Sequence, residues 1–191
     1  PIVGIAGSPD GTTDVTHAWV LELSTAPWAP ELLVHATKDL ADTVVAERDD
    51  VRIGSDIELV GDLERLVEAR RQGLAHHGLA DRRPVAAFVF GQHLDEQLQQ
   101  RVLAGAASSV GVVAVVAHAE GPATWRIHSD GRGTFEPTDL SVPKAQSIPA
   151  STRAAIADLR LAADSPDLYP APWWSSSDDT SSDRPHARET A

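Results

Sequence analysis

Two short runs that are apolar at every position constrain the fold of this chain more than any other feature. They are residues 85–90 and Val112–Ala117. A strand with one face in water alternates apolar and polar residues, whereas a strand apolar on both faces is buried on both. We therefore expect these two strands to be central, adjacent and parallel in a sheet that is covered by helices.

The rest of the chain alternates strand-length apolar runs with segments of helical period, which predicts βαβ units and a parallel sheet. We expect further strands at Ile2–Ala6, 32–35 and 51–53. The expected helices run from a cap at Thr13 or Asp14 to Leu23, over a short segment after Thr37, over 59–74, around Leu98, and from Ser151 to Leu161. The pattern changes at 124–128 and 133–135, where two runs flank a turn and predict an antiparallel hairpin at the sheet edge. The predicted fold class is a three-layer α/β domain with a mostly parallel central sheet and a C-terminal hairpin.

Composition sets the domain limits. The chain has 191 residues, of which 42% are hydrophobic, enough for one domain with an aliphatic core. We place that domain at 1–162. Pro, Ser and Asp dominate 163–191, which we interpret as a disordered acidic tail. Trp173 and Trp174 lie in this tail, where they form either a docking anchor or a loosely exposed pair.

Charge and residue usage exclude several classes of function. The net charge of −12, without a segregated basic patch, argues against nucleic-acid binding. The absence of cysteine removes thiolate metal sites and cysteine nucleophiles. No apolar run approaches the ~18 residues of a membrane span, so we expect a cytoplasmic segment without membrane contact. The chain begins at Pro1 and has no Met, and we interpret it as a piece of a longer polypeptide.

A glycine-rich turn between the first strand and the first helix is the main candidate site. Free backbone N–H groups and the helix dipole make such a turn suitable for phosphate. The general phosphate-loop pattern requires a lysine after its last glycine, and this chain has threonine there. The candidate residues are Gly7, Ser8, Gly11, Thr12 and Thr13. An ordinary β-turn that enters a helix is the competing interpretation.

The ends of the two central strands lack the acid that usually accompanies a phosphate loop. In P-loop proteins a central strand ends in a carboxylate that holds Mg²⁺ or the attacking water. Here residues 85–90 are followed by Gly91 and Gln92, and the next central strand by His118. Asp10 also places a negative charge in the phosphate loop itself. We therefore expect no catalytic residue and no cofactor.

With these features the chain resembles known ATPase-type modules. Residues 82–135 resemble the C-terminal part of an FtsK-type or HerA-type motor domain in their proline-led apolar strand, their helix, their second apolar strand and their closing hairpin. Residues 31–135 are similar to a degenerate ATPase-like module of large actinobacterial proteins that also carry LysM and transcriptional-activator (SARP-type) domains. The matching segments are 33–40, 62–66 and 125–131. The resemblance implies a P-loop NTPase-like fold and a setting in transcriptional regulation.

Histidines offer a weaker alternative. His118 with Glu120, and His128 with Asp130, are spaced so that they could converge at a sheet end. Zinc needs three or four ligands in tetrahedral reach, and no sequence signature supplies them. We interpret these histidines as surface residues and predict no metal site.

The leading hypothesis is a non-catalytic pseudo-ATPase, a scaffold or regulatory module within a larger protein. Its partners would be another protein or neighbouring domains of the parent chain. Two other classes remain open. One is a nucleotide-binding FtsK-type motor domain whose missing groups come from a partner subunit. The other is an α/β domain that binds a small molecule at the strand ends.

Overall fold

The computed structural model describes residues 1–25, 31–44, 50–77, 85–106, 111–118, 123–129, 133–136, 140–142 and 145–163. Residues 164–191 of the predicted tail, with its two tryptophans, lie outside these residues, and so do Asp130 and Gly131 of the predicted hairpin turn. The strands are β1 Ile2–Ala6, β2 Leu33–Thr37, β3 Val51–Gly54, β4 Ala86–Phe90, β5 Val112–Ala117, β6 Trp125–His128, β7 Gly133–Glu136 and β8 Leu140–Val142. The helices are α1 Pro9–Thr25, α2 Asp56–His77, α3 Glu96–Ala106 and α4 Ala150–Ala163, with a 3₁₀ helix at Lys38–Thr43.

The described strands form one sheet in the order β3-β2-β4-β5-β1-β6-β7-β8. The first six strands in this order are parallel to one another, and β7 and β8 are antiparallel to their neighbours. Strands β4 and β5 pair directly, with Ala86 opposite Val112 and Phe90 opposite Val116. Every residue of β4 is buried. The prediction of two adjacent, parallel and central strands is confirmed, and with it the three-layer α/β class.

Alternation along the central strands divides the core into two layers. In β4, Phe88 and Phe90 pack on the side of α2 and α3, while Val89 packs on the side of α1. Val116 and Val115 of β5 divide in the same way. A strand whose successive side chains enter two different cores must be apolar throughout. The all-apolar runs in the sequence have this physical cause.

Helix α2 begins earlier than the expected 59–74. The main-chain N–H and the hydroxyl of Ser55 both donate to Glu58 Oε2 at 2.7 Å, and Glu58 N–H lies 3.4 Å from Ser55 Oγ. These reciprocal bonds form a capping box that fixes the helix start. The predicted apolar stripe is confirmed, since Leu59, Leu63 and Val67 are buried.

Helix α1 also begins earlier than expected, at Pro9 rather than after Thr13 or Asp14. Ser8 precedes it and accepts a hydrogen bond from Gly11 N–H at 3.3 Å. A serine cap followed by proline at the first helical position is a strong start signal, because proline has no N–H to leave unsatisfied. The Thr13 hydroxyl donates to the Pro9 carbonyl at 2.9 Å within the helix. The expected cap at 13 or 14 is therefore wrong.

The predicted hairpin is confirmed, but it does not lie at the sheet edge. Strand β6 pairs in parallel with β1, so that Ile5 lies opposite Ile127, and pairs antiparallel with β7. Strand β8, which the sequence analysis did not predict, extends the sheet beyond β7. The hairpin is thus part of a three-stranded extension of the parallel sheet.

Helix α4 is held to the α1 side of the sheet mainly by arginines. Arg153 forms an ion pair with Asp14 at 2.5 Å and donates to the Ile148 carbonyl at 2.7 Å. Arg160 donates to the Val44 carbonyl at 2.5 Å. No residue of α4 is fully buried, so these polar contacts carry much of its attachment. Among the helices described, none is both long and apolar enough to cross a lipid bilayer.

Candidate functional site

An open cleft of about 420 Å³ lies at the carboxyl ends of the parallel strands. Ligands of parallel α/β proteins commonly bind at this edge, and the volume is in the range of small-molecule sites. Its lining residues come from α1, from the 3₁₀ helix, and from the segments that follow β4 and β5. They are Thr13, His17, Asp39, Gly91, Gln92, His93 and His118.

The most buried polar residue of the cleft is His17, whose side chain is only 5% exposed. Its Nδ1 atom contacts the hydroxyl of Thr43, and that hydroxyl donates to Asp42 Oδ1 at 3.1 Å. A hydroxyl has a single proton. Because a carboxylate can only accept, we assign that proton to the bond with Asp42, and we assign to Nδ1 a hydrogen that it donates to Thr43.

The same arrangement sets the charge and tautomer of the ring. Burial, followed by the nearby Arg153 guanidinium, lowers the pKa of His17, against the opposing effect of Asp42, Asp39 and Asp14. The imidazole is therefore neutral at neutral pH. With its hydrogen on Nδ1, its Nε2 atom carries a lone pair and can only accept a hydrogen bond.

Asp39 lies in the space that a side chain at position 91 would occupy. A Cβ atom built on Gly91 would overlap Asp39 Oδ2 and approach Leu40 Cδ2 to 2.8 Å. Gly91 N–H donates to Thr37 Oγ1 at 2.9 Å, which holds the end of β4 against the end of β2. The carboxylate that β4 lacks in sequence is thus present in space, contributed by the neighbouring strand's connection.

His118 follows β5 with a backbone φ of 53°, the left-handed region that non-glycine residues rarely adopt. Such strained positions are concentrated at functional sites. Its predicted companion Glu120 lies outside the described residues, as does Asp130, the companion of His128. In the described part of the chain, no three His, Asp or Glu side chains are close enough to hold a metal ion.

The predicted phosphate-loop residues are divided between a short turn and the first turns of α1. Gly7, with φ 133°, and Ser8 form a two-residue turn, and Ser8 is used as the helix cap. Gly11 lies against Ser8 and against the β6 end, and Thr12 is 0% exposed. Only Thr13 lines the cleft. Phosphate binding by these residues stays a prediction.

Carboxylates dominate the electrostatics of this edge. Burial, together with the carboxylates of Asp39 and Asp95, raises the pKa of Asp56 at the start of α2. Asp10 lies in the first turn of α1, where its negative charge interacts favourably with the positive end of the helix dipole. The carboxylates of Asp39, Asp56 and Asp95 thus act on one another near this edge, and such negative charges oppose the approach of a phosphate group.

The element order and the six parallel strands define a three-layer α/β domain, whose fold is like that of P-loop NTPases. No protein-family model and no curated protein matches the chain. Among solved structures, it is similar to Thermomonospora curvata EccC (ATPases 2 and 3) in complex with a signal sequence peptide. The identity is 15%, the TM-score is 0.59, and the match covers 83% of this chain and 41% of that one.

Two further structures share the fold. The cytoplasmic domain of the Thermomonospora curvata type VII secretion ATPase EccC is 14% identical, with a TM-score of 0.55 and coverage of 83% of this chain and 26% of that chain. EssC (ATPases 2 and 3) from Geobacillus thermodenitrificans is 8% identical, with a TM-score of 0.50 and coverage of 84% and 44%. Identities this low show the fold alone, and the chain spans less than half of each neighbour.

These neighbours support the expected likeness to FtsK-type ATPase domains at the level of fold. They do not bear on the LysM and transcriptional-activator setting. Sequence reasoning had placed His118 at a strand end but had not assigned His17, Asp39 or His93 to a site. Asp39 precedes Leu40 on an expected helix, and nothing local in the sequence indicates that it meets the end of β4.

Proposed function

We propose that the chain is a non-catalytic P-loop-like domain, a scaffold or regulatory interaction module within a larger protein. The start of α1 at Pro9 carries this proposal. A phosphate-binding loop needs several non-helical residues whose N–H groups point at one phosphate. Here only Gly7 and Ser8 lie between strand and helix, which leaves no room for such a loop.

The position that a lysine would occupy adds support. In the phosphate-loop pattern the lysine reaches the β- and γ-phosphates. Thr12, at that position, is fully buried. A cation placed there would enter the packed interior instead of the cleft. The chain thus differs from an active loop in backbone geometry as well as in residue type.

The greater length of the structural neighbours supports a larger setting for this domain. The chain spans 41% of Thermomonospora curvata EccC (ATPases 2 and 3) and 26% of the cytoplasmic domain of the type VII secretion ATPase EccC. We place this domain in a cytoplasmic assembly, where it contacts a protein partner or neighbouring domains of its parent chain. The resemblance to actinobacterial LysM and activator proteins extends the proposal to transcriptional regulation.

Two assays test this proposal, namely phosphate release from ATP and nucleotide binding, each measured on the parent chain and on a charge variant. We expect no phosphate release above the blank and no binding of a fluorescent ATP analogue. Asp10→Asn removes the negative charge from the first turn of α1, and Asp158→Asn on exposed α4 is the matched control. The proposal would be contradicted if the parent chain bound the analogue, if Asp10→Asn strengthened that binding, and if Asp158→Asn left it unchanged.

One observation favours a second candidate, a nucleotide-binding motor domain completed by a partner subunit. Asp39 provides a carboxylate beside the end of β4, where a Mg²⁺ ligand of an ATPase is expected. If this candidate is correct, the chain alone stays inactive. ATP hydrolysis then appears on addition of the partner and is abolished by Asp39→Asn.

A further inference from the structure

Two of the side chains that line the cleft, His17 through Nε2 and Asp39 through its carboxylate, can accept a hydrogen bond there but cannot donate one. The contacts of His17 with Thr43 and Asp42 both involve Nδ1, so within the described part of the chain Nε2 is the atom left for a ligand. The second acceptor is the carboxylate of Asp39, which lines the same cleft. A group that satisfies both must donate hydrogen bonds.

The charge around the cleft selects among donors. Three carboxylates, those of Asp42, Asp39 and Asp14, act on His17 against the Arg153 guanidinium, which is itself paired with Asp14 at 2.5 Å. Of these charged groups, Asp39 is the one that lines the cleft. A cationic donor gains from its negative charge, whereas a neutral donor does not and an anion is repelled.

Geometry disfavours a metal ion as that cation. The described residues contain no group of three His, Asp or Glu side chains with metal-ligand spacing. A volume of about 420 Å³ is much larger than an ion needs and suits an organic group with part of its alkyl chain. Planar guanidinium and compact ammonium groups both bind carboxylates through charge-assisted hydrogen bonds.

We propose that this cleft binds an ammonium or guanidinium group, with Asp39 as its counter-ion and His17 Nε2 as a second acceptor. The inference deepens the proposed function and rests on it in one respect, namely that no nucleotide fills the cleft. A basic side chain of a protein partner and a free amine present the same chemistry. The first source would make the cleft the docking point of the scaffold.

Titration with three probes tests the proposal and separates the sources. The probes are L-arginine amide, spermidine and a short peptide rich in lysine and arginine, each added to the full chain at low ionic strength while His17 ring shifts and heat are recorded. We expect saturable binding of at least one probe. Tighter binding of the peptide than of arginine amide indicates a side-chain source, and tightest binding of spermidine indicates a free amine.

A pair of variants matched in charge assigns the binding to the cleft. Asp39→Asn removes the counter-ion with little change of shape. Glu68→Gln makes the same charge change on the exposed surface of α2, on the opposite face of the sheet. We expect binding about tenfold weaker or more in Asp39→Asn, the loss of one charge-assisted hydrogen bond. Glu68→Gln should bind as the parent does.

A third variant examines the histidine. In His17→Asn an amide N–H can still donate to Thr43, but the acceptor corresponding to Nε2 is gone. We expect weaker binding with an unchanged circular dichroism spectrum. If this variant fails to fold, the comparison of Asp39→Asn with Glu68→Gln still tests whether the probes bind in the cleft.

Three results would overturn the inference. They are no binding of any probe at millimolar concentration, equal weakening in the Asp39 and Glu68 variants, and micromolar Zn²⁺ binding that displaces the probes. Parallel titration with Mg·ATP keeps the two proposals distinct. ATP binding that leaves Asp39-dependent cation binding unchanged contradicts only the proposed function, and absence of both kinds of binding contradicts only the cation site.

Discussion

Replacing Gly91 with alanine perturbs the floor of the cleft directly. The added methyl group would overlap the Asp39 carboxylate and lie 2.8 Å from Leu40 Cδ2 and Cγ. Leu40 is only 1% exposed, so it has little room to move. Overpacking of this kind costs about 1–3 kcal/mol, and we expect Gly91→Ala to lower the free energy of unfolding by that amount.

Urea denaturation followed by circular dichroism measures this change, with Gly61→Ala as the control. A Cβ at Gly61 meets nothing within 4 Å. Gly61 lies inside α2, where alanine should stabilise by about 0.5–1 kcal/mol. The two glycine-to-alanine changes should therefore have opposite signs.

A double variant identifies the source of the clash. Asp39→Ala removes the carboxylate that the new methyl group meets, so combining it with Gly91→Ala should cost less than the sum of the two single changes. A Gly91→Ala variant as stable as the parent would refute the reasoning. Additive effects in the double variant would mean that Asp39 is not the group displaced.

Three further predictions concern pH, α4 and the tail. Burial lowers the pKa of both His17 and His35 in the folded chain, so below about pH 6.5 the unfolded chain binds more protons than the folded one. The free energy of unfolding should therefore fall as the pH is lowered, by at most about 1.4 kcal/mol per histidine for each pH unit. A urea midpoint that increases when the pH is lowered from 7 to 5.5 would contradict this. Arg153→Ala should destabilise by about 1–3 kcal/mol through loss of its bonds to Asp14 and the Ile148 carbonyl, and a purely additive cycle with Asp14→Asn would show that the ion pair contributes nothing. Deletion of 175–191 should leave the melting temperature nearly unchanged in a thermal scan, whereas a fall of many degrees would mean that the tail packs on the core.

The sequence predicted the centre of the fold well because burial there determines the pattern of apolar residues along each strand. Residues such as Phe88 and Val89 enter opposite cores, and this requirement appears as a run without polar residues. The apolar stripe of α2 is visible for the same reason. No local residue pattern indicates the order of the strands, because that order depends on which strands pair after long crossover connections.

The start of α1 was misjudged although its signal was present. Ser8 and Pro9 together indicate a cap and a first helical residue, but the glycine pattern favoured a longer loop. Strand β8 is too short to give a clear alternation. The chemistry of the cleft was hidden for a different reason, since Asp39 and His17 reach it from separate elements through long-range packing.

The most direct test of the central claim is calorimetric titration of the full chain with Mg·ATP at millimolar concentration. A triphosphate site without its lysine and without a carboxylate on its own strand loses two charge contacts of about 1.5–3 kcal/mol each. That loss corresponds to roughly two to four orders of magnitude in affinity. The account predicts no heat of binding beyond dilution. Saturable micromolar binding of ATP would contradict it and would identify a working nucleotide site in this domain.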